Sequence, residues 1–470
     1  MSPGRPRCRR NGATLPRTLA ALLALALLAA GCGARWSDEE RAAVHARGTG
    51  QRQAAGSTEP GTDVATGDVG VGSTGSGRTA TGVTPGGQPV PAGGGSDVSG
   101  PRPCAAPSEA PGVTDDTIDV GAIATVSGPV PGLAEGSLAA ARAHVAYRNS
   151  LGGVCGRRIV LRTGDDGFEN ARFRSIITDM SKSTLGLINT FAGGDGGGVD
   201  IATAENLPVA AAAMTDQWQN APTVFDINPP PANANAPIGK YRYLYDQGVR
   251  TAAVSTIAAA ASLAQMDLQQ AQMEASGIKV VLRQELPLST LSFDAPARAV
   301  ANSKADYFLF LAAGTLNTNM ARSLKDAGYK PKFSDFLTAY GSDFIESAGD
   351  ASEGVTSWSR ALPAEERGGN AELDAFLEWL ERTAPAVPPE PFAVDAWVSS
   401  KAFFDNLERI PGPITRDALI AQLKTVTDYD AGGFYGRINL GGKVSNSCYV
   451  AMKVVNGKWQ RLVPAQGFIC

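Results

Sequence analysis

The sequence predicts an α/β protein made of two doubly wound lobes joined by hinge strands, each lobe a parallel sheet covered by helices on both faces. Three observations lead there. Short apolar runs rich in Val and Ile alternate with helical stretches, the order that places strands side by side with helices packed over them. A break at Pro229-Pro230-Pro231 ends one such alternation and a second begins beyond it. From Ser37 to Thr117 there is no Leu, Ile, Met, Phe, Tyr or Trp, so the buried core has to come from the chain beyond Thr117.

Residues 1–17 carry Arg5, Arg7, Arg9, Arg10 and Arg17 and no acidic residue, and Leu19 to Ala30 is an unbroken run of Leu and Ala. A membrane span needs about 20 apolar residues, so this run suits the core of a cleaved signal peptide (1–31) better than an anchor helix. It ends Leu28-Ala29-Ala30-Gly31-Cys32, which resembles the lipobox of bacterial lipoproteins. The resemblance implies cleavage before Cys32, lipidation of that cysteine and anchorage to the outer face of the cell membrane. Sixteen glycines lie between Gly48 and Gly100 among Ser, Thr, Pro and Asp. That composition buries too little apolar surface to offset the entropy of ordering, so residues 32–111 read as a tether, either bare or a glycosylated stalk.

The folded body is expected from Gly112. Thr117 to Val126 reads as a first strand, Gly132 to Tyr147 as an Ala-rich helix, Arg158 to Arg162 as a second strand and Asn170 to Ser183 as a helix. Leu185 to Ala192 is a third strand, Gly197 to Glu205 a short helix and Leu207 to Met214 a fourth strand. After the Pro-rich break, strands are expected at 251–256, 278–284, 306–312 and 333–339 with helices between. Val455-Asn456-Gly457-Lys458 reads as a hairpin, because Asn-Gly supplies the two positive-φ positions of a tight turn. The expected division is 112–234 for the first lobe, 235–352 for the second, 353–427 as a return to the first, and 428–470 as a return to the second with a C-terminal hairpin.

Several blocks in this order are similar to one family. Gly112-Val113-Thr114-Asp115-Asp116-Thr117-Ile118 followed by Ser127-Gly128-Pro129, then Asn149-Ser150-Leu151-Gly152-Gly153 through Ile159, resemble the opening of type I periplasmic-type solute-binding proteins. Asp165-Asp166-Gly167, Leu324-Lys325-Asp326-Ala327-Gly328-Tyr329 and Glu353-Gly354-Val355 continue the match. These are the branched-chain amino acid and amide receptors of ABC importers. The resemblance implies a monomeric receptor whose two lobes close on a small polar solute (amino acid-, amide- or small acid-like), without a cofactor. It also implies a partner permease with ATPase subunits on separate chains, since Gly193 to Gly198 lacks the Lys and Ser/Thr of a phosphate-binding loop.

Ligands of open α/β sheets bind beyond the carboxyl ends of the strands. Three first-lobe segments fall there: Ser127-Gly128-Pro129, Gly193 to Gly198 with Gly194 and Asp195, and Ala213 to Trp218 with Thr215 and Trp218. By the resemblance, Thr215 holds a ligand carboxylate, while Gly194 and Asp195 stand where amino acid receptors carry hydroxyls. Trp218 reads as either a stacking wall or a core residue. In the second lobe the relatives' aromatic positions fall on Ile257 to Ser262 and on Gly314-Thr315-Leu316-Asn317, and their ammonium-binding acid falls near Tyr340, with Asp343 close by. Small side chains there make room, so the expected ligand is larger or less cationic than leucine, with Ser127, Thr315, Tyr340 and Asp343 among its contacts.

Composition excludes other classes. A formal net charge of −4 leaves no basic footprint for nucleic acid. Two histidines, His45 and His144, rule out a His-rich metal cage, and no metal site is expected. Asp165-Asp166 is the nearest paired carboxylate, but neighbours on a strand point to opposite faces, and a solvated strand end is the expectation. An enzyme is therefore not expected. A sensor module for a membrane signalling partner shares the same fold and is the alternative; a structural adhesin is a third reading, suited by the tether alone. Once Cys8 leaves with the leader and Cys32 is acylated, four cysteines remain, and the favoured bridges are Cys104–Cys155 and Cys448–Cys470.

Overall fold

The computed structural model describes residues 110–470. The expected leader, Cys32, Cys104 and all but the last two residues of the expected tether lie outside the described residues.

The first lobe runs β1 (Thr117–Ala124), α1 (Glu135–Ser150), β2 (Arg158–Asp165), α2 (Asn170–Ser183), β3 (Leu187–Phe191), a 3-10 turn (Asp195–Gly198), α3 (Val199–Ala204), β4 (Val209–Ala211), α4 (Asp216–Asn220) and β5 (Val224–Asp226). Its five strands are parallel in the order β2-β1-β3-β4-β5. Apolar spacing decides which face each helix covers: Phe173, Ile177 and Met180 recur on one side of α2 and are buried. Gly121 in β1 permits that packing, because a Cβ there would sit 2.8 Å from the Met180 sulfur and 2.5 Å from Leu187. β5 has no counterpart among the expected strands; three residues are too few to show a period.

The second lobe continues with α5 (Gly239–Asp246), β6 (Thr251–Ile257), α6 (Ala260–Ala275), β7 (Lys279–Leu286), α7 (Asp294–Ser303), β8 (Tyr307–Leu311), α8 (Thr315–Asp326), β9 (Phe333–Phe336), α9 (Phe344–Ala348) and β10 (Val355–Ser359). In β8 the alternation is visible residue by residue: Tyr307, Leu309 and Leu311 enter the layer with α5 and α6, and Phe308 and Phe310 the layer with α7 and α8.

The chain then returns to the first lobe with α10 (Ala371–Thr383), α11 (Pro391–Leu407) and α12 (Arg416–Lys424), passes a small ribbon of β11 (Ile438–Asn439) and β12 (Val444–Ser445), and ends in β13 (Val450–Val455) and β14 (Lys458–Val463). The seven-stranded second sheet has the order β14-β13-β10-β9-β8-β6-β7. Its parallel part, β7-β6-β8-β9-β10, repeats the order of the first lobe, and β13 and β14 extend it antiparallel. Asn456 and Gly457, at φ 54° and 68°, form the β13–β14 turn. Cys448 and Cys470 are joined by a disulfide, beside the pairing of Tyr449 with Ile469.

Two lobe boundaries differ from expectation. The return to the first lobe comes after Ser359 rather than at 353, because β10 pairs with β9 and β13 inside the second sheet. The second return comes near Cys448 rather than at 428, because Tyr429, Phe434, Tyr435 and Ile438 pack in the first-lobe core with α10 to α12. Three segments therefore cross between the lobes, around Asn228–Pro231, Arg360–Ala361 and Ser445–Tyr449. The first and third are tied where Pro231 pairs with Ser445, the second and third where Arg360 reaches the Tyr449 hydroxyl, and Ala361 pairs with Tyr435 of the first lobe.

Candidate ligand-binding cleft

In a sheet ordered 2-1-3-4-5 the connections leave in opposite directions from neighbouring strands, opening a crevice beyond their carboxyl ends. Both lobes have that order, and a cleft of about 720 Å³ lies where their strand ends face each other. First-lobe walls come from Phe191 at the end of β3 and from Ala213, Met214 and Thr215 after β4. Second-lobe walls come from Ile257 at the end of β6, Leu311 at the end of β8 with Ala312 beyond it, and Leu337 and Thr338 after β9. Ala259, Ala261 and Ser262, in the expected Ala-rich segment, also face it. The floor is the crossing segments, with Asn228, Trp358, Ser359 and Arg360.

Hydrogen bonding from two acidic residues fixes the first-lobe loops. Asp165 accepts from the backbone N–H groups of Val126 (3.0 Å), Ser127 (3.1 Å) and Gly167 (3.0 Å) and from the Ser127 hydroxyl (2.5 Å). Partial burial would raise its pKa, but these donors outweigh it and hold the carboxyl well below the usual range. Asp166 is fully buried and accepts from the Thr125 hydroxyl (2.6 Å) and the Gly194 N–H (2.7 Å). The expected solvated strand end is thus a pair of loop anchors, one for each loop. Ser127 is spent on Asp165 and does not line the cleft.

The glycine loop is likewise committed within the lobe. A Cβ on Gly194 would lie 2.5 Å from the Glu169 carbonyl, and one on Gly197 2.3 Å from that of Asn170, so these glycines let the loop press against the start of α2. Neither Gly194 nor Asp195 lines the cleft. Asp195 is fully buried behind the wall, accepting from the Thr215 hydroxyl (2.6 Å) and the Met214 N–H (2.8 Å). Burial pushes its pKa up to about 7 against the pull of those donors.

Thr215 does reach the cleft, yet its hydroxyl donates to Asp195 and caps α4 by accepting from the Trp218 N–H. Trp218 faces away. It is fully buried, its ring 5.3 Å from Phe173 and its indole N–H on the Thr190 hydroxyl at 2.8 Å. Asp216, Gln219 and Asn220 of the same helix face the cleft instead, a consequence of the roughly 100° step between helical neighbours.

The second lobe shows the same one-residue displacement, with Leu316 rather than the exposed Thr315 on the cleft wall. Asp343 is exposed ahead of α9 and accepts from the Ser347 hydroxyl (3.0 Å). Tyr340 lines the cleft, but its hydroxyl donates to Glu365 (2.7 Å) and accepts from the Ala364 N–H (2.6 Å). Asp343 stands outside the cleft lining and the Tyr340 oxygen is engaged, so neither offers a ligand ammonium an acceptor in the cleft.

The charged groups at the floor were not singled out from the sequence. Lys240 is buried against Asp335 (2.8 Å), which also accepts from the Tyr307 hydroxyl (2.6 Å). Arg360 is less satisfied: one Nη reaches the Tyr449 hydroxyl at 3.4 Å, while the other is buried without an acceptor. Burial would lower its pKa, but Tyr449, Tyr435 and Asp395 raise it, so the guanidinium keeps its charge. Asp395 accepts from the Tyr435 hydroxyl (2.9 Å), and burial pushes it up to about 7 despite the charge of Arg360. Arg360 directly follows a strand with Ser at alternate positions, Ser357 and Ser359; once β10 is known to be in the sheet, that residue has to stand at the crossing.

His144 sits in the first-lobe core, 4.7 Å from the Trp397 ring, and burial lowers its pKa well below the usual value. It supplies no catalytic base to the cleft.

A family model described as periplasmic binding protein matches residues 117–458. No curated protein sequence matches. Among solved structures, a fatty acid ABC transporter substrate-binding protein from Thermomonospora curvata is 17% identical, with a TM-score of 0.63 over 77% of this chain and 94% of that one. The solute-binding protein of an R. palustris ABC transporter, in complex with benzoate, is 20% identical, with a TM-score of 0.61 over 75% and 97% of the two chains. A branched-chain amino acid transporter substrate-binding protein from Streptococcus pneumoniae, in complex with isoleucine, is 16% identical, with a TM-score of 0.60 over 74% and 100%.

Proposed function

The chain belongs to the periplasmic binding protein family, and on that premise we propose that it is an extracytoplasmic substrate-binding lipoprotein of an ABC importer. Its lobes close on a small solute and hand it to a separately encoded permease and ATPase. The observation that carries this reading is the cleft of about 720 Å³ between the carboxyl ends of two sheets of identical strand order, walled by both lobes and floored by the crossings. A site built this way binds more strongly when both walls touch the ligand, which biases the open–closed equilibrium toward closure. Binding rather than catalysis is supported by the chemistry at hand: His144 is in the core, and Asp165 and Asp166 are saturated by loop donors. The relatives' named ligands, a fatty acid, benzoate and isoleucine, differ in size and share a carboxylate.

A thermal-shift screen of the purified chain against amino acids, amides, organic acids and sugars tests the reading. A ligand at 100 times its dissociation constant stabilises by about 2.7 kcal/mol, and the same ligand should lower the radius of gyration in solution scattering. A screen with no stabilising compound would refute the receptor reading.

A further inference from the structure

We propose that the cleft takes an organic monocarboxylate with a bulky apolar body, its carboxylate received by the Arg360 guanidinium on the central crossing. This names the substrate class of the receptor proposed above and rests on that reading. Three observations converge. First, Arg360 lines the cleft floor with five N–H donors, of which the structure satisfies one weakly, through Tyr449 at 3.4 Å, and leaves one Nη buried with no acceptor. A buried donor without a partner is costly, and a guanidinium fits a carboxylate with two parallel hydrogen bonds. Second, the first-lobe position is already taken. The Thr215 hydroxyl donates its proton to Asp195 and its oxygen accepts from the Trp218 N–H, so it has no donor left for a ligand carboxylate.

Third, the rest of the lining suits hydrocarbon. Phe191 and Phe392 stack at 4.2 Å on the first-lobe side, and Ile257, Leu311, Leu316 and Leu337 face them from the second lobe. An α-ammonium finds little here. Of the carboxyl groups lining the cleft, Asp267 is paired with Arg283, Asp395 is engaged by Tyr435 and Asp216 is exposed to solvent, while the Lys240 charge is matched by Asp335. Adding an ammonium to the ligand would bring a charge needing a partner when desolvated. A carboxylate without an amine leaves the apolar walls to its tail and the under-bonded guanidinium of the floor to its head.

The test compares octanoate and 4-phenylbutyrate with octanamide and leucine, by calorimetry on the purified chain. Octanoate and 4-phenylbutyrate should bind, with octanamide at least about 10-fold and leucine at least about 10-fold weaker, the range of a charge-assisted hydrogen bond. Arg360→Gln should weaken octanoate by about 10- to 100-fold and octanamide by much less, so that the preference for octanoate collapses, while Arg360→Lys should restore part of the octanoate affinity. Octanamide binding as tightly as octanoate, or undiminished octanoate binding by Arg360→Gln, would overturn the proposal. The wild-type comparison decides even if Arg360→Gln does not fold. Tight binding of leucine or a sugar, with none of either carboxylate, would refute the substrate class and leave the receptor reading standing; no ligand from any class would refute the receptor reading itself.

Discussion

Replacing Asp195 by Asn should make the protein more stable at neutral pH, and the gain should disappear in acid. Asp195 is fully buried behind the cleft wall, where its two oxygens accept from Thr215 and Met214. Burial disfavours its charged form more than these donors favour it, and the nearby Asp226 adds repulsion, so its pKa is pushed up to about 7 from an ordinary 3.8. The sign follows from linkage. Between those values the folded chain holds a proton that the unfolded chain has released, so this group's contribution is complete below about pH 4 and is lost as pH rises through 7. At about 1.4 kcal/mol per pH unit, the loss is on the order of 4 kcal/mol as an upper bound. An Asn amide has the shape of the protonated acid: its oxygen can accept from Met214 and its nitrogen can donate to the Thr215 oxygen. Urea unfolding followed by tryptophan fluorescence, from pH 4 to pH 8, should show Asp195→Asn ahead of the wild type by roughly 2–4 kcal/mol at pH 8 and level with it near pH 4. A variant less stable than wild type at pH 8, or one whose advantage grows toward acid, would refute the reasoning.

Two further outcomes are expected. Thr215→Ala removes the α4 cap and one of the two donors on Asp195, so it should cost about 1–2 kcal/mol of unfolding free energy and change octanoate affinity by less than about threefold; a large loss of affinity at unchanged stability would return the ligand to the first-lobe wall. Cys32→Ala should shift the protein from the membrane fraction to the soluble extracytoplasmic fraction without altering ligand binding, since the anchor acts only through its lipid. Retention in the membrane fraction would remove Cys32 as the anchor.

Much of the scaffold was legible because it is written in local periods. The alternation at β8, the apolar stripe of α2 and the Asn456-Gly457 turn each depend on neighbours within a few residues, and their positions could be read without any fold. The site was legible only as a set of loops. Thr215 and Tyr340 reach the cleft, but a step of one helical residue separates Trp218, in the core, from Gln219, on the wall, and Thr315, in solvent, from Leu316. A loop's residue pattern carries no record of a helical step that rotates a side chain by about 100°.

The sequence by itself determined the two-lobed α/β class, the first four strands of each lobe with the helices between them, and the shortage of histidine that points toward binding. Only the tertiary structure decided what the cleft offers a ligand. Arg360 owes its position to β10 pairing with β9 and β13, partners about 20 and about 90 residues away in the chain. Its unsatisfied charge depends on where Tyr449, Tyr435 and Asp395 arrive from other segments. Hydrogen-bond satisfaction and desolvation are sums over groups brought together by folding, and no local pattern carries them.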